Sequence, residues 1–150
     1  MQEVTLKAAM AGIETTLAHA RRKSLSPLAV AVLDAGGHVL ASVREDGSGH
    51  SGIDIAVAKG RGALSFRMPS RAVGDFLAGN ALVGATLCAA LGGAMLPIPG
   101  AVLIKDATGR PIGAIAAAGD APDNDEAAAL AGLAAIDAGG AATAASPEAR

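Results

Sequence analysis

The stretch VLDAGGHVLASVREDG, residues 32–47, decides the fold because it has the pattern of two short strands joined by a tight turn. Apolar residues alternate with other residues along 38–44, as expected for a strand with one buried face. The sequence DAGG between the strands supplies residues that tolerate the positive φ angles of hairpin turns. The stretch therefore predicts a β-hairpin, with strands at about Ala29–Leu33 and His38–Arg44, that ends in the charged sequence REDG.

A second hairpin is predicted near the other end of the chain. Its strands are expected at Ala101–Ile104 and Pro111–Ala118, joined by the turn sequence KDATGR. The apolar segment before it is expected to add a strand near Ala94–Pro97. Because hairpins pair strands antiparallel, about five strands would form a mainly antiparallel sheet. Helices with apolar faces must pack on such a sheet, so the fold class is α+β.

Four helices are predicted from apolar residues at helical spacing. The first is capped by Thr5 and ends near Ser24, and the second runs from Ile53 to about Arg67. A short third helix is expected from a cap at Ser70 to Leu77. The last helix follows Pro122, where Asp123 and Glu126 have the spacing of a capping box. A cation site at Asp123, Asp125 and Glu126 is the alternative interpretation of these acidic residues.

Length and composition indicate one domain, residues 1–138, followed by a disordered tail rich in Ala and Gly, residues 139–150. The net charge of −2 and the near absence of aromatic residues argue against nucleic-acid binding. The uncharged segment 76–104 is interrupted by Asn, Gly and Pro, so no membrane span is expected. Cys88 is the single cysteine, which excludes an internal disulfide and favours the cytoplasm, and we interpret it as a buried apolar residue.

Four segments resemble the GlcG/HbpS-like proteins, a family also found as the carboxy-terminal domain of some cobalamin adenosyltransferases. These segments are VLDAGGHVLASVREDG, GIDIAVAKGRGALSFRMPS, LPIPGAVLI and GRPIGAIAAAGDAPDNDEA. The resemblance implies a profilin-like sheet flanked by helices and a homo-oligomer. It also implies an association with haem binding or degradation, with corrinoid metabolism or with small hydroxy-acid pathways.

Carried over residue by residue, the family pattern matches at thirteen positions: Asp34, Gly37, Arg44, Asp46, Gly47, Asp54, Ala56, Lys59, Phe66, Pro69, Pro99, Gly100 and Gly113. The chain departs from the pattern at Glu45, where an apolar residue is common, at Gly60, where Ala is usual, and at 117–120. The extra carboxylates Glu45 and Asp120 are expected to influence which ligand is accepted.

Lys59 is a candidate functional residue because its neighbours three and four positions away along the predicted helix are apolar or glycine. A lysine in such surroundings could lose its proton through desolvation and act as a base, or stay charged and bind a carboxylate. The alternative is a lysine with its stem on apolar surface and its ammonium in water. In that case Asp54 or Asp46 would be its partner.

Arg44 and Asp46 are the other candidate ligand-binding residues, since a guanidinium offers a planar set of donors to a carboxylate. They could instead pair with each other or with the start of the next helix. His38 and His50 are candidates because histidine can ligate haem iron. No histidine pair has the spacing of a metal site, so no dedicated metal centre is predicted.

These residues leave three hypotheses for function. The first is a small-ligand-binding protein whose ligand is a tetrapyrrole, haem or a corrinoid, or a small carboxylate. Its pocket would lie between the sheet edge, the loop 45–52 and the start of the Ile53 helix. The second is an enzyme acting on a small hydroxy or oxo acid, with Lys59 as acid, base or carboxylate anchor and Arg44 positioning the substrate. The third is a purely structural subunit of an assembly.

Overall fold

A computed structural model describes residues 2–144 of the chain. The elements are α1 (Leu6–Arg22), β1 (Ala29–Asp34), β2 (Val39–Arg44), α2 (Gly52–Phe66), α3 (Ser70–Ala78), α4 (Ala81–Ala90), β3 (Ala101–Lys105), β4 (Pro111–Ala118) and α5 (Pro122–Ala144).

Within residues 2–144 the four strands form one antiparallel sheet in the order β2-β1-β4-β3. Both predicted hairpins are present, and the fold is α+β as expected. The strand predicted at 94–97 is wrong, because this segment crosses α2 as irregular chain. There the Leu96 amide donates to the Ala58 carbonyl at 3.0 Å, and Pro97 and Pro99 have no amide proton with which to pair in a sheet.

Helices cover both faces of the sheet, so the central strand β1 is buried on both sides. Val30 and Val32 of β1 point into one core cluster with residues of α1 and α5. Ala31 and Leu33 point the other way, into a cluster with α2. This arrangement follows from the alternation of side chains along a strand, and it places α1 and α2 on opposite faces.

An aspartate side chain stabilises each of the two hairpin turns in the same way. Asp34 Oδ1 accepts hydrogen bonds from the amides of Gly36 and His38, and Asp106 Oδ1 accepts them from the amides of Thr108 and Arg110. Each carboxylate oxygen thus accepts two backbone amides of its own turn. The turn is therefore stabilised by hydrogen bonds between residues close in sequence. The likeness between DAGG and DATG in the sequence is therefore shared turn chemistry.

Two predicted helix caps are wrong, while the cap of α1 at Thr5 is confirmed by its hydrogen bond from the Ala8 amide. Ser70 is the first residue of α3 rather than its cap, and its hydroxyl bonds to the backbone of Ala101 on β3. Asp123 and Glu126 pair with Arg71 of α3 instead of forming a capping box. These acidic residues therefore join α5 to α3.

The uncharged segment forms the end of α3, all of α4, the irregular chain after it and most of β3. Of the α4 residues only Gly84 is buried, while Leu82 is 77% exposed. No helix in residues 2–144 is both long enough and apolar enough to span a bilayer. The last helix continues through Ala144, beyond the boundary predicted at 139, and the rest of the predicted tail, 145–150, lies outside the described residues.

Candidate functional site

A groove of about 510 Å³ lies between the end of α1 and the end of β2. We call it the α1–β2 groove. Its lining residues come from α1, from the loop before β1 and from the stretch REDG: Leu17, Ala20, Arg21, Leu25, Pro27, Val43, Arg44, Glu45 and Asp46. Its volume is within the range typical of small-molecule sites. Five of the nine lining residues are apolar, and the other four are two arginines and two carboxylates.

Glu45 fixes the shape of this groove. Its backbone amide donates to the Leu28 carbonyl at 2.9 Å, and its Oε2 accepts from the Leu28 amide at 2.8 Å. Its Oε1 lies 3.6 Å from Arg21 Nη2. The carboxylate therefore joins the end of β2 to the start of β1 and also holds one of the two arginines. Arg44 makes no ion pair within residues 2–144, so its charge is available to a ligand.

Asp120 fixes the loop on the other side of the groove. Its Oδ2 accepts from the Ser26 amide at 2.7 Å, and its Oδ1 accepts from the Ala121 amide and the Asn124 side chain. These hydrogen bonds, with that of Asn124 the largest contribution, hold the pKa of Asp120 well below its ordinary value of 3.8. Asp120 therefore ties the residue before Pro27 to the start of α5.

A second cavity, of about 290 Å³, lies at the other end of the β1–β2 hairpin and on the α2 face of the sheet. We call it the turn cavity. It is lined by the hairpin turn, by the second half of α2 and by the segment after α4: Ala35, Gly36, Gly37, Arg61, Leu64, Ser65, Leu91, Ala94 and Met95.

Lys59 lies in the core, with 3% of its side chain exposed. Its Nζ donates to Asp125 Oδ2 at 2.8 Å and to the Ala117 carbonyl at 3.1 Å. Asp125 Oδ1 accepts from the Asp120 amide at 2.9 Å. Burial raises the pKa of the Asp125 carboxyl, although the hydrogen bond from Lys59 opposes that shift. The pair therefore joins α2 to the start of α5.

The partners predicted for Lys59 are wrong: its acidic partner is Asp125, not Asp54 or Asp46. Lys59 lines neither the α1–β2 groove nor the turn cavity. Gly100 also covers the ammonium, since a Cβ at that position would come within 2.7 Å of Nζ. An acid, base or carboxylate anchor must reach its ligand, and in this structure the Lys59 ammonium is engaged by Asp125 and the Ala117 carbonyl instead.

Comparison with known families gives a match over residues 4–134 to the family described as haem degrading protein HbpS-like. The chain belongs to this HbpS-like family. Comparison with curated protein sequences gives no significant match.

Solved structures agree with this assignment. The HbpS-like chain is 30% identical to a double mutant of HbpS from Streptomyces reticuli, with 89% of this chain and 87% of that chain covered and a TM-score of 0.78. A second HbpS crystal structure has 29% identity, coverage of 89% and 90%, and the same TM-score. A PduOC:heme complex shares the fold at 20% identity, with coverage of 91% and 96% and a TM-score of 0.81.

Of the candidate residues in this HbpS-like chain, Arg44 and Asp46 lie together in the α1–β2 groove. The partner of β2 in that groove is α1, whereas the predicted pocket placed the start of the Ile53 helix there. His38 and His50 are exposed and line neither cavity. His38 Nδ1 lies 3.3 Å from the Asp34 carboxylate in the hairpin turn, with 80% of the His38 side chain exposed.

The groove residues that the sequence analysis missed are those of α1 and the following loop, such as Leu17, Arg21 and Leu25. Leu17 packs against the core from the apolar face of α1, but its position at the end of β2 depends on how α1 crosses the sheet. Within residues 2–144 no group of three or more His, Cys, Asp or Glu side chains could hold a metal ion.

Proposed function

We propose that this HbpS-like chain binds a carboxylate-bearing tetrapyrrole of the haem type in the α1–β2 groove. The observation that carries this proposal is a groove in which two guanidinium groups lie beside apolar side chains. Leu17, Leu25 and Val43 offer surface to a flat macrocycle, and Arg21 and Arg44 offer charged donors to its carboxylates. The family description and the haem complex of a protein with this fold support the same ligand class.

The two arginines differ in how they would hold a carboxylate. Arg21 already faces Glu45, so a ligand must compete for it or share it. Arg44 makes no ion pair within residues 2–144 and is exposed, so it is the stronger candidate for the first contact. Asp46 lies beside it and would repel a ligand carboxylate that is placed wrongly, which favours one orientation.

The lining residues suit the ring and the carboxylates of haem rather than its iron. None of the nine is a histidine, methionine, cysteine or tyrosine, which are the usual axial ligands. When bound, haem would supply an iron centre with at least one coordination position that this groove does not fill. We therefore expect metal-free protoporphyrin to bind about as well as haemin.

Titration of the purified protein with haemin, protoporphyrin and cobalamin tests the proposal, with the haemin Soret band and porphyrin fluorescence as readouts. The first two should bind saturably, and cobalamin, whose side chains are mostly amides, should bind much more weakly. The variant Arg21→Gln/Arg44→Gln should weaken both porphyrins about tenfold or more. The control Arg22→Gln/Lys23→Gln removes two exposed charges outside the groove and should change little.

Equal weakening by both double variants would reduce the effect to net charge and contradict the groove assignment. The variants His19→Ala, His38→Ala and His50→Ala cover every histidine of the chain. Unchanged haemin binding in all three agrees with a site that recognises ring and carboxylates. Loss of haemin binding in one of these variants would show that a histidine outside the α1–β2 groove holds the haem.

We also propose that the chain forms a homo-oligomer through the exposed apolar residues of α3 and α4. Phe76 is 67% and Leu82 is 77% exposed, and Val83 is exposed as well. We call these three residues the α3–α4 face. No charged residue occurs between 76 and 104, so the face suits an equally uncharged surface. A second copy of the chain provides that surface, since a twofold axis brings the same patch of two molecules together.

A further inference from the structure

Arg61 lines the turn cavity, and one hydrogen bond orients its exposed side chain. Its Nε donates to the Gly37 carbonyl at 3.0 Å, which ties the guanidinium to the hairpin turn. Gly37 has a φ of 78°, a conformation that favours glycine, and a Cβ there would lie 3.4 Å from Arg61 Cγ. The arginine stem and the turn backbone are therefore in close contact, which holds the guanidinium beside the cavity.

The rest of the guanidinium has no partner in the part of the chain that the structure describes. Within residues 2–144, Arg61 makes no ion pair, and its two terminal Nη groups make no hydrogen bond. Asp34, the acidic residue of the adjoining turn, is already engaged by the amides of Gly36 and His38 and by the His38 ring. Among residues 2–144 no acidic side chain lines the cavity, so the single charge in this lining is positive.

The remaining side chains of the lining are apolar apart from one hydroxyl, and the turn 35–37 adds polar backbone groups. Leu64, Leu91 and Met95 provide aliphatic surface, and Ser65 adds a donor and acceptor one helical turn from Arg61. A volume of about 290 Å³ is at the lower end of the range for ligand pockets. The cavity therefore suits a molecule much smaller than a tetrapyrrole, with an anionic end and a short apolar body.

We propose that the turn cavity is a second binding site, specific for short aliphatic carboxylates. The carboxylate pairs with the Nη groups of Arg61, whose planar arrangement matches two carboxylate oxygens. The alkyl part lies against Leu64, Leu91 and Met95. The site is separate from the α1–β2 groove, because the two lie at opposite ends of the β1–β2 hairpin and on opposite faces of the sheet.

The test is a titration of the full chain with butyrate, and with butylammonium as a probe of matched shape and opposite charge. Amide chemical shifts measured by NMR report where each probe binds. A ligand of this size on a half-open site should have a dissociation constant on the order of 1 mM. Butyrate should shift the amides of the turn 35–37 and of α2 near Arg61, and butylammonium should not.

Arg61→Gln should weaken butyrate binding about tenfold, and Arg61→Lys, which keeps the charge but loses the planar donors, should weaken it less. The control Arg22→Gln should leave it unchanged. Thermal unfolding of each variant shows whether the fold is intact. If Arg61→Gln is unstable, the comparison of butyrate with butylammonium on the unmodified chain still tests whether the cavity selects an anion.

Equal shifts from both probes, shifts confined to residues outside the cavity, or unchanged butyrate affinity in a folded Arg61→Gln variant would each overturn the proposal. The groove variant Arg21→Gln/Arg44→Gln separates the two sites. It should bind butyrate normally even though its porphyrin affinity falls, and loss of butyrate binding in that variant would place the carboxylate in the groove.

Discussion

Lys59 and Asp125 are 66 positions apart in sequence and meet only because α2 and the start of α5 reach the same end of β4. Their side chains are each 3% exposed, so the charges have little contact with water. A buried pair of this kind contributes little net stability, because desolvation offsets much of the attraction. Removing one partner is costly, because the other charge is then left alone in the core.

Lys59→Met should lower the free energy of unfolding by about 3–5 kcal/mol near neutral pH, because it leaves Asp125 without its cation. The loss should shrink as the pH falls. The folded-state pKa of Asp125 is already raised above 3.8 by burial, and it rises further without Lys59. The native state then takes up a proton before the unfolded state does, so stability increases as the pH falls through the folded pKa.

Urea unfolding between about pH 5 and pH 8 measures this effect. The double variant Lys59→Met/Asp125→Asn, which removes both charges and keeps an acceptor for the Asp120 amide, should recover most of the stability. The exposed Lys7→Met is the control. If Lys59→Met were as mild as Lys7→Met at every pH, the pair would have no structural role.

Asp120 should make the fold sensitive to acid. Its folded-state pKa lies below the ordinary value of 3.8 because Asn124 and the amides of Ser26 and Ala121 donate to it. Its contribution is therefore complete above the unfolded pKa and is lost as the pH falls through the folded pKa. The stability difference between the natural chain and Asp120→Asn should shrink as the pH falls below about 4.

The check is chemical unfolding of the natural chain and of Asp120→Asn at a series of acidic pH values. Asp75→Asn removes an exposed carboxylate on α3 and serves as the control. A difference between the natural chain and Asp120→Asn that stays constant with pH would show that the charge of Asp120 does not stabilise the loop before β1.

At the scale of elements, α1 and α5 approach each other through two glycines. A Cβ on Gly132 would lie 2.6 Å from the Gly12 carbonyl oxygen, and one on Gly12 would lie 2.7 Å from the end of the Ile136 side chain. Thr16 also donates to the Gly12 carbonyl at 2.9 Å. The helices can therefore separate only by breaking packing against the sheet, which makes the contact sensitive to a single methyl group.

Gly132→Ala should destabilise the chain by about 1–3 kcal/mol or more, because the backbone it meets cannot move aside. Gly12→Ala should cost less, since Ile136 can change rotamer. Gly79→Ala is the matched control, because Gly79 has φ −66° and no atom near its Cβ position. It should be neutral or slightly stabilising. Thermal unfolding measures the stability of all three variants. A smaller loss of stability for Gly132→Ala than for Gly12→Ala would contradict this account of the contact.

The sequence correctly predicted the elements that depend on residues close to one another in the chain. The two hairpins carry alternation and turn aspartates within a few residues, and the structure confirms both. The strand expected at 94–97 is wrong because an apolar run does not distinguish a strand from irregular chain packed on a helix. The caps expected at Ser70 and Asp123 are wrong because each side chain found a partner far away in sequence, on β3 and α3 respectively.

At the scale of the whole molecule, the candidate site was only half predictable. Arg44 and Asp46 follow a recognisable strand, so their place at its end could be inferred from sequence. Arg21 joins them only because α1 crosses the sheet beside β2, and Arg61 faces the turn cavity only because α2 packs on the opposite face. The sequence does not indicate how either helix crosses the sheet. Apolar residues at helical spacing predict that a helix packs on the core, but they do not predict where its polar residues will lie.

The α3–α4 face is the proposed interface between copies of the chain, and it gives the last prediction. The natural chain should be a stable oligomer in size-exclusion chromatography with light scattering. Leu82→Glu should lower the measured mass, because a carboxylate buried against a second uncharged face would lack a partner. Leu130→Glu is the matched control, since Leu130 is 50% exposed and belongs to α5 rather than to that face. A mass that neither variant changes would exclude the face as the interface. A monomer that binds lipid vesicles through Leu82 would show instead that a membrane surface covers it.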